Sequence, residues 1–145
     1  MPTTTTVCTS FKKEILEGVH ESTDTFKIAL IKAGASGSYG ASTTNYSSLT
    51  GNNDEVSNGN GYTTGGVTLS GFSTGTDGTT AYLDFTSDPS WASSTFSTIG
   101  AIIYNSSQSN KAVCVLDFGG TFSPSNGTFT ITFPAPGATA LIRLT

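Results

Sequence analysis

Few side chains in this sequence are equipped for chemistry, and their types and spacing limit what that chemistry is. There is one histidine, His20, and there are two cysteines, Cys8 and Cys114. His20, Asp24 and a serine have the residue types of a nucleophilic triad. No nearby serine stands in the Gly-x-Ser-x-Gly setting that exposes a nucleophile on a strand-to-helix turn, and His20 is expected at the surface or a helix end. Asp84, Asp88 and Asp117 are the candidates for paired-carboxylate glycoside chemistry. Asp84 and Asp117 fall near strand ends, where a carboxylate more often ends a ladder or accepts a backbone amide. Gly51-Asn52-Asn53-Asp54-Glu55 is rich in oxygen but lacks the ligand spacing and terminal glutamate of an EF-hand loop, so it reads as a hydrated turn. Gly59-Asn60-Gly61-Tyr62 is followed by neither Lys-Ser nor Lys-Thr and opens no helix, so its glycines read as turn residues. Two scattered cysteines make no metal site. Either both thiols are free, with Cys114 a small core residue, or a bridge pins the N-terminus to the sheet. The expectation is of a protein that is not an enzyme and holds no cofactor or metal.

Aromatic side chains offer a different chemistry, that of contact. Trp91, Tyr39, Tyr46, Tyr62 and Tyr104 are candidates for a sugar-stacking platform, with Trp91 the first to test. The competing reading makes Trp91 a plug that seals one end of the fold. Charge points away from polyanions. The net charge is −4, and the basic residues Lys12, Lys13, Lys27, Lys32, Lys111 and Arg143 cluster only at Lys12-Lys13. Neither nucleic acid nor an acidic membrane surface is an expected partner, because both need grouped cations.

The elements that position these residues follow from composition and periodicity. The chain has 145 residues, 35% of them hydrophobic and 11% charged, with 17 glycines. About a third are Ser or Thr, a mix suited to short strands and turns rather than a helical bundle. The length fits one core. Residues 1–9 read as an extended arm, rich in threonine. Ser10 is a candidate cap for a helix from Phe11 to about Gly18, with Phe11, Ile15 and Val19 on one face and Leu16 widening it. Thr25–Lys32 is a strand. Ala33 to about Asn60 forms a long loop whose large anchors are Tyr39, Tyr46 and Leu49, with a brief bridge at Glu55-Val56. Strands are expected at 62–70 (weakened by Gly65 and Gly66), 80–85, 95–104, 111–118, 128–133 and 138–144, with turns at 71–79 (Asp77-Gly78 at the tip), Gly119-Gly120 and Pro134–Gly137. The connection before 95–104 carries Pro89 and Trp91. Two apolar runs, Ser97 to Tyr104 and Lys111 to Phe118, make a hairpin apolar enough for the inside of a sheet.

Seven or eight strands with no βα alternation predict a mostly β fold. An antiparallel β-sandwich of jelly-roll or immunoglobulin-like type is expected over 10–145, with one short N-terminal helix. No apolar run reaches the ~20 residues of a membrane helix, and the start shows no cationic, apolar leader pattern. The sequons at Asn45, Asn105 and Asn126 read as chance matches.

The order of short motifs resembles a family of small tailed-phage virion proteins. The resemblance runs through Phe11-Lys12-Lys13-Glu14-Ile15-Leu16 with Gly18 and His20, then Phe26-Lys27-Ile28-Ala29-Leu30. It continues through Glu55-Val56, Gly61-Tyr62-Thr63, Gly66-Val67, Asp84-Phe85 and Trp91. It closes with Ile99-Gly100-Ala101-Ile102-Ile103-Tyr104-Asn105, Asp117-Phe118, Phe129-Thr130-Ile131 and the corner from Pro134 to Gly137. The resemblance implies a structural protein with no catalytic residues, made in the host cytoplasm and built into the virion. The expected role is a capsid decoration or cement protein on the major capsid protein shell. A tail, neck or fibre component and a carbohydrate-binding module are the alternatives. The expected partners are the major capsid protein or other virion proteins, and further copies of this chain in an oligomer or symmetric array. Thr3, Thr4, Thr5, Thr6, Tyr39, Tyr46, Leu49 and Trp91 are the expected contact residues.

Overall fold

A computed structural model describes residues 3–145 of the chain. Met1 and Pro2, the first two residues of the expected arm, lie outside the described residues. In chain order the elements are β1 (Thr6–Val7), α1 (Thr9–Leu16), β2 (Phe26–Lys32), α2 (Ser47–Gly51), β3 (Val67–Thr68), β4 (Phe72–Asp77) and β5 (Thr80–Phe85). Then come β6 (Ser90–Thr95), β7 (Thr98–Asn105), a 3-10 turn (Ser106–Gln108), β8 (Lys111–Phe122), β9 (Ser125–Thr130) and β10 (Ile142–Leu144). The fold is mostly β, and every strand pair is antiparallel.

The large sheet has the order β1-β8-β7-β2-β3, and a smaller one has the order β10-β5-β4. They pack face to face through aromatic rings. Phe26 of β2 lies 5.5 Å from Phe72 and 5.6 Å from Phe85, centroid to centroid. β2 is buried on both faces, as its near-continuous apolar run Phe26-Lys27-Ile28-Ala29-Leu30-Ile31 requires of a central strand.

The hairpin expected at Ser97–Phe118 is longer than its sequence suggests. Pairing runs from the tip through Asn105↔Lys111 to Gly100↔Asp117, then resumes at Thr98↔Phe122. It continues in a two-stranded ribbon with Thr95↔Ser125 and Trp91↔Phe129. One hairpin thus runs from Ser90 to Thr130. Between its two segments, Ile99 alone on one strand faces Phe118 to Thr121 on the other. Gly119, at φ +75, makes that excess possible. So Gly119-Gly120 bends the strand rather than ending it, and the bend separates the β6–β9 ribbon from the large sheet.

Several boundaries move for identifiable reasons. The turn expected over 71–79 is confined to its tip at Asp77-Gly78, because Phe72–Asp77 pairs with Thr80–Phe85 as β4. Helix α1 starts at Thr9, with Cys8 at the cap position. Ser10 is inside the helix, its hydroxyl buried without a partner. Gly18 ends the helix as expected. Its amide bonds to Ile15 O and that of Val19 to Glu14 O, with Gly18 at φ +73, the left-handed C-terminal cap that glycine favours. Leu16 does not widen the buried face; it is 89% exposed. The strand expected over 62–70 shrinks to Val67–Thr68, because Tyr62 turns inward to bond side-chain partners. Gly66, at φ +79, lies against the Ile28 carbonyl where no side chain fits. The last strand shortens to Ile142–Leu144, since Asp77 and Asp84 capture the amides of Ala138 and Leu141. Both cysteines are free and buried.

Candidate partner-binding surface

The three candidate catalytic carboxylates hold backbone amides, and the histidine bonds to other side chains. Asp84, fully buried, accepts from the Phe85 amide at 2.8 Å and the Leu141 amide at 3.3 Å. Asp88 accepts from Phe133 N at 2.9 Å, and Asp117 from Gly119 N at 3.1 Å. Asp84 and Asp117 fill the amide-accepting role expected of them, and Asp88 does the same. His20 is not a surface residue: its side chain is 4% exposed. Its ring packs 4.7 Å from that of Phe11. The Asn105 amide nitrogen faces both His20 Nδ1 (3.0 Å) and Asp24 Oδ2 (2.7 Å). An amide NH2 only donates, so Nδ1 accepts, and Nε2–H donates to Glu14 Oε1 at 3.0 Å. Among the described residues no three His, Cys, Asp or Glu side chains stand together as a metal site. No helix of the described residues is long and apolar enough to cross a membrane.

The expected arm and the expected loop meet. Thr3 bridges to Tyr39 in parallel, and Thr4 N donates to Tyr39 O at 3.0 Å. Thr6 and Val7 pair with Val115 and Cys114 of β8. The Asp117 amide donates to the Thr5 hydroxyl at 2.8 Å. Cys8 N reaches Val113 O at 2.9 Å, and Thr9 N reaches Ala41 O at 2.8 Å. The arm therefore lies along its own sheet as an edge strand rather than extending free. A threonine run forms this strand because its β-branched side chains favour extended backbone, and its hydroxyls replace ladder partners that the short strand lacks.

The loop is ordered by two carboxylates that sequence reasoning assigned to a hydrated turn. Asp54 is 1% exposed. It accepts from Tyr39 Oη (2.7 Å), Gly37 N (2.8 Å) and Ser36 N (2.9 Å). Burial pushes this carboxyl up, but the Tyr39 hydroxyl and the Ser36 and Gly37 amides outweigh it, and its pKa lies below the ordinary value. Burial and the charge of Asp54 push the Tyr39 phenol up to about 12. Glu55 accepts from Tyr46 Oη, Tyr62 Oη and Gly65 N, each at 2.6 Å. The Tyr62 hydroxyl in turn accepts from Leu30 N at 3.1 Å. Lys32 N donates to Asp54 O at 2.8 Å, and Val56 N to Leu30 O at 3.1 Å. Residues 54–56 thus cover the part of β2 that β3 does not reach. The signal was present in the sequence: two adjacent acids in a loop otherwise free of charge, with tyrosines on both sides.

Of the expected contact residues, Thr3 to Thr6 and Tyr39 come together, while the others take different places. Thr4 and Thr5 are exposed, and Thr3 and Thr6 half-buried. Tyr39 and Leu49 are 2% and 0% exposed; they brace the loop from inside, and Leu49 rides on α2, which the sequence did not announce. Tyr46 is half-buried and stacks on Tyr104 at 4.4 Å. Trp91 lies apart from the others on β6, 3% exposed. Its ring stands 5.8 Å from that of Phe129 and 6.4 Å from that of Tyr62. Trp91 is therefore an interior plug, and Tyr39, Tyr62 and Tyr104 are equally inside, so these aromatics present no sugar-stacking face. What remains on the surface is the outer side of the arm and the polar crest beside it, with exposed Thr4, Thr5, Ser38, Ala41 and Ser42.

Comparisons with protein-family models, curated proteins and solved structures find no match to this chain.

Proposed function

We propose that this chain is a non-enzymatic structural protein of a bacteriophage virion, a decoration or cement protein that binds the major capsid protein shell in many copies. The observation that carries the reading is the convergence of arm and loop. Hydrogen bonds fix Thr3–Val7 and residues 36–56 as one preorganised surface, so attachment needs little further ordering of the chain. The engagement of His20, Asp84, Asp88 and Asp117 in structural bonds supports a non-catalytic role. Contacts by hydroxyls and amides are weak singly and sum over a symmetric shell.

Reconstruction of the intact particle tests the reading. The expected result is on the order of hundreds of copies on the shell, with β1 and the loop turned toward it. A handful at the tail, neck or fibre moves the chain to that role, and its absence from the particle overturns the proposal. The double variant Thr4→Asp/Ser42→Asp should lower shell occupancy about tenfold at limiting protein, with an unchanged melting temperature.

A further inference from the structure

No charged residue occurs from Pro89 to Asn110, or from Phe118 to Ile142. These two stretches build the β6–β9 ribbon and the distal half of β8, so the ribbon is neutral on both faces while the chain as a whole carries −4. On one face the rings of Phe118, Phe122 and Phe129 lie 5.9 to 6.4 Å apart. With Ile131 and the Thr128 and Thr130 side chains they line a shallow concavity of about 550 Å³. Phe122 is 48% exposed, and Phe118, Phe129 and Ile131 are half-exposed.

The ribbon also ends in an open strand. The outer side of β6 is met by the Asn60 carbonyl, which accepts from Thr95 N at 2.9 Å. β9 pairs with β6 on one side and with no strand on the other among the described residues. Sheet edges are ordinarily guarded by lysine, proline, inward charge or bulges. Ser125–Thr130 has no lysine, proline or acid; its one such device is the bulge at Asn126, at φ +50.

A partner covering this face must itself be uncharged, because a charge pressed against it would lose water and gain no counter-charge. A second copy meets that condition with a matching strand edge, while like charge elsewhere disfavours other contacts between copies. We propose that two copies pair through β9, antiparallel about a two-fold axis, each Phe122 entering the other copy's Phe118–Phe129 concavity. This pairing does not depend on the virion reading, since it belongs to the purified chain.

Sedimentation velocity of the full chain over a wide concentration range tests it. The expected result is a reversible monomer–dimer equilibrium. Phe122→Glu, and independently Thr128→Lys, should each raise the dissociation constant at least about tenfold. Unchanged circular dichroism and melting of the monomer identify the variant that kept its fold. Leu16→Glu, on the exposed side of α1, should leave the equilibrium as it is. A wild-type chain that stays monomeric throughout, or that grows open-endedly, overturns the pairing. So does a dimer that survives both ribbon variants, or one lost with Leu16→Glu.

Discussion

At Asp54 a single carboxylate holds three points of the loop, two amides and a phenol, and it holds them most strongly while ionised. Asp54→Asn replaces one acceptor oxygen with an NH2 that faces these donors. We expect a loss of about 2–3 kcal/mol at neutral pH, from charge-assisted bonds broken and donors left unpaired. The pH dependence has a definite sign. A carboxyl whose folded pKa lies below its unfolded 3.8 adds stability above that value and loses it as the pH falls through the lower, folded value. Melting temperature against pH should therefore fall below pH 4 in the wild type, and fall less steeply in Asp54→Asn. Part of the slope will remain. Asp24 is also shifted down: burial pushes it up, but hydrogen bonds from Asn105, the Glu21 amide and Gln108 prevail. A variant with full wild-type stability at pH 7 would remove Asp54 from this role.

At the scale of elements, β1 is a short edge strand, two residues long and joined to β8 alone. It covers Cys8, whose thiol is pushed up to about 12 by burial and then by the charge of Glu14. A buried, protonated thiol is a poor nucleophile, so its reactivity reports the opening of the arm. Thr6→Pro removes the backbone donor that faces Val115 across the short ladder. Labelling of Cys8 by an aromatic disulfide at pH 8 should rise about tenfold or more, a population shift of at least ~1.4 kcal/mol, while global melting falls by a few degrees. Equal labelling in both proteins would mean that something other than strand pairing covers the thiol. The arm also shows how far sequence reasoning reaches. Threonine repetition identifies extended backbone, and Phe26-Lys27-Ile28-Ala29-Leu30 identifies a central strand, because both are local preferences. Nothing local in Thr5 announces Asp117, and the tyrosines around Asp54 and Glu55 announce phenol partners without saying which phenol meets which acid. Those partnerships are set by packing across the fold, which is why the turn acids were read as hydrated and Trp91 as part of a loop. Helix α2 escaped notice for a related reason: five residues of Ser, Leu, Thr and Gly carry no helical period, and Leu49 is helical because its burial holds it there.

At the scale of the whole molecule, the mostly β, antiparallel architecture was legible because strand-forming runs and turns alternate along the entire chain. The separation of the β6–β9 ribbon from the large sheet was not, since it depends on a bend within one hairpin that the glycines at 119 and 120 permit but do not demand. The same hairpin orders the contacts by distance along the chain. Ser90 to Thr130 pairs with itself, whereas the Thr5 hydroxyl meets an amide 112 residues away. Loop closure disfavours the second class of contact until the first is in place. In refolding followed by pulsed amide exchange, amides of β7 and β8 should gain protection before the Cys8 amide; the reverse order would place the arm in the folding nucleus. During synthesis the consequence is a delay. The arm leaves the ribosome more than a hundred residues ahead of its partner strand, on the order of ten seconds at ordinary elongation rates. For that interval each nascent chain trails an unpaired strand, and along a crowded message the nearest complete β8 belongs to the neighbour one ribosome ahead.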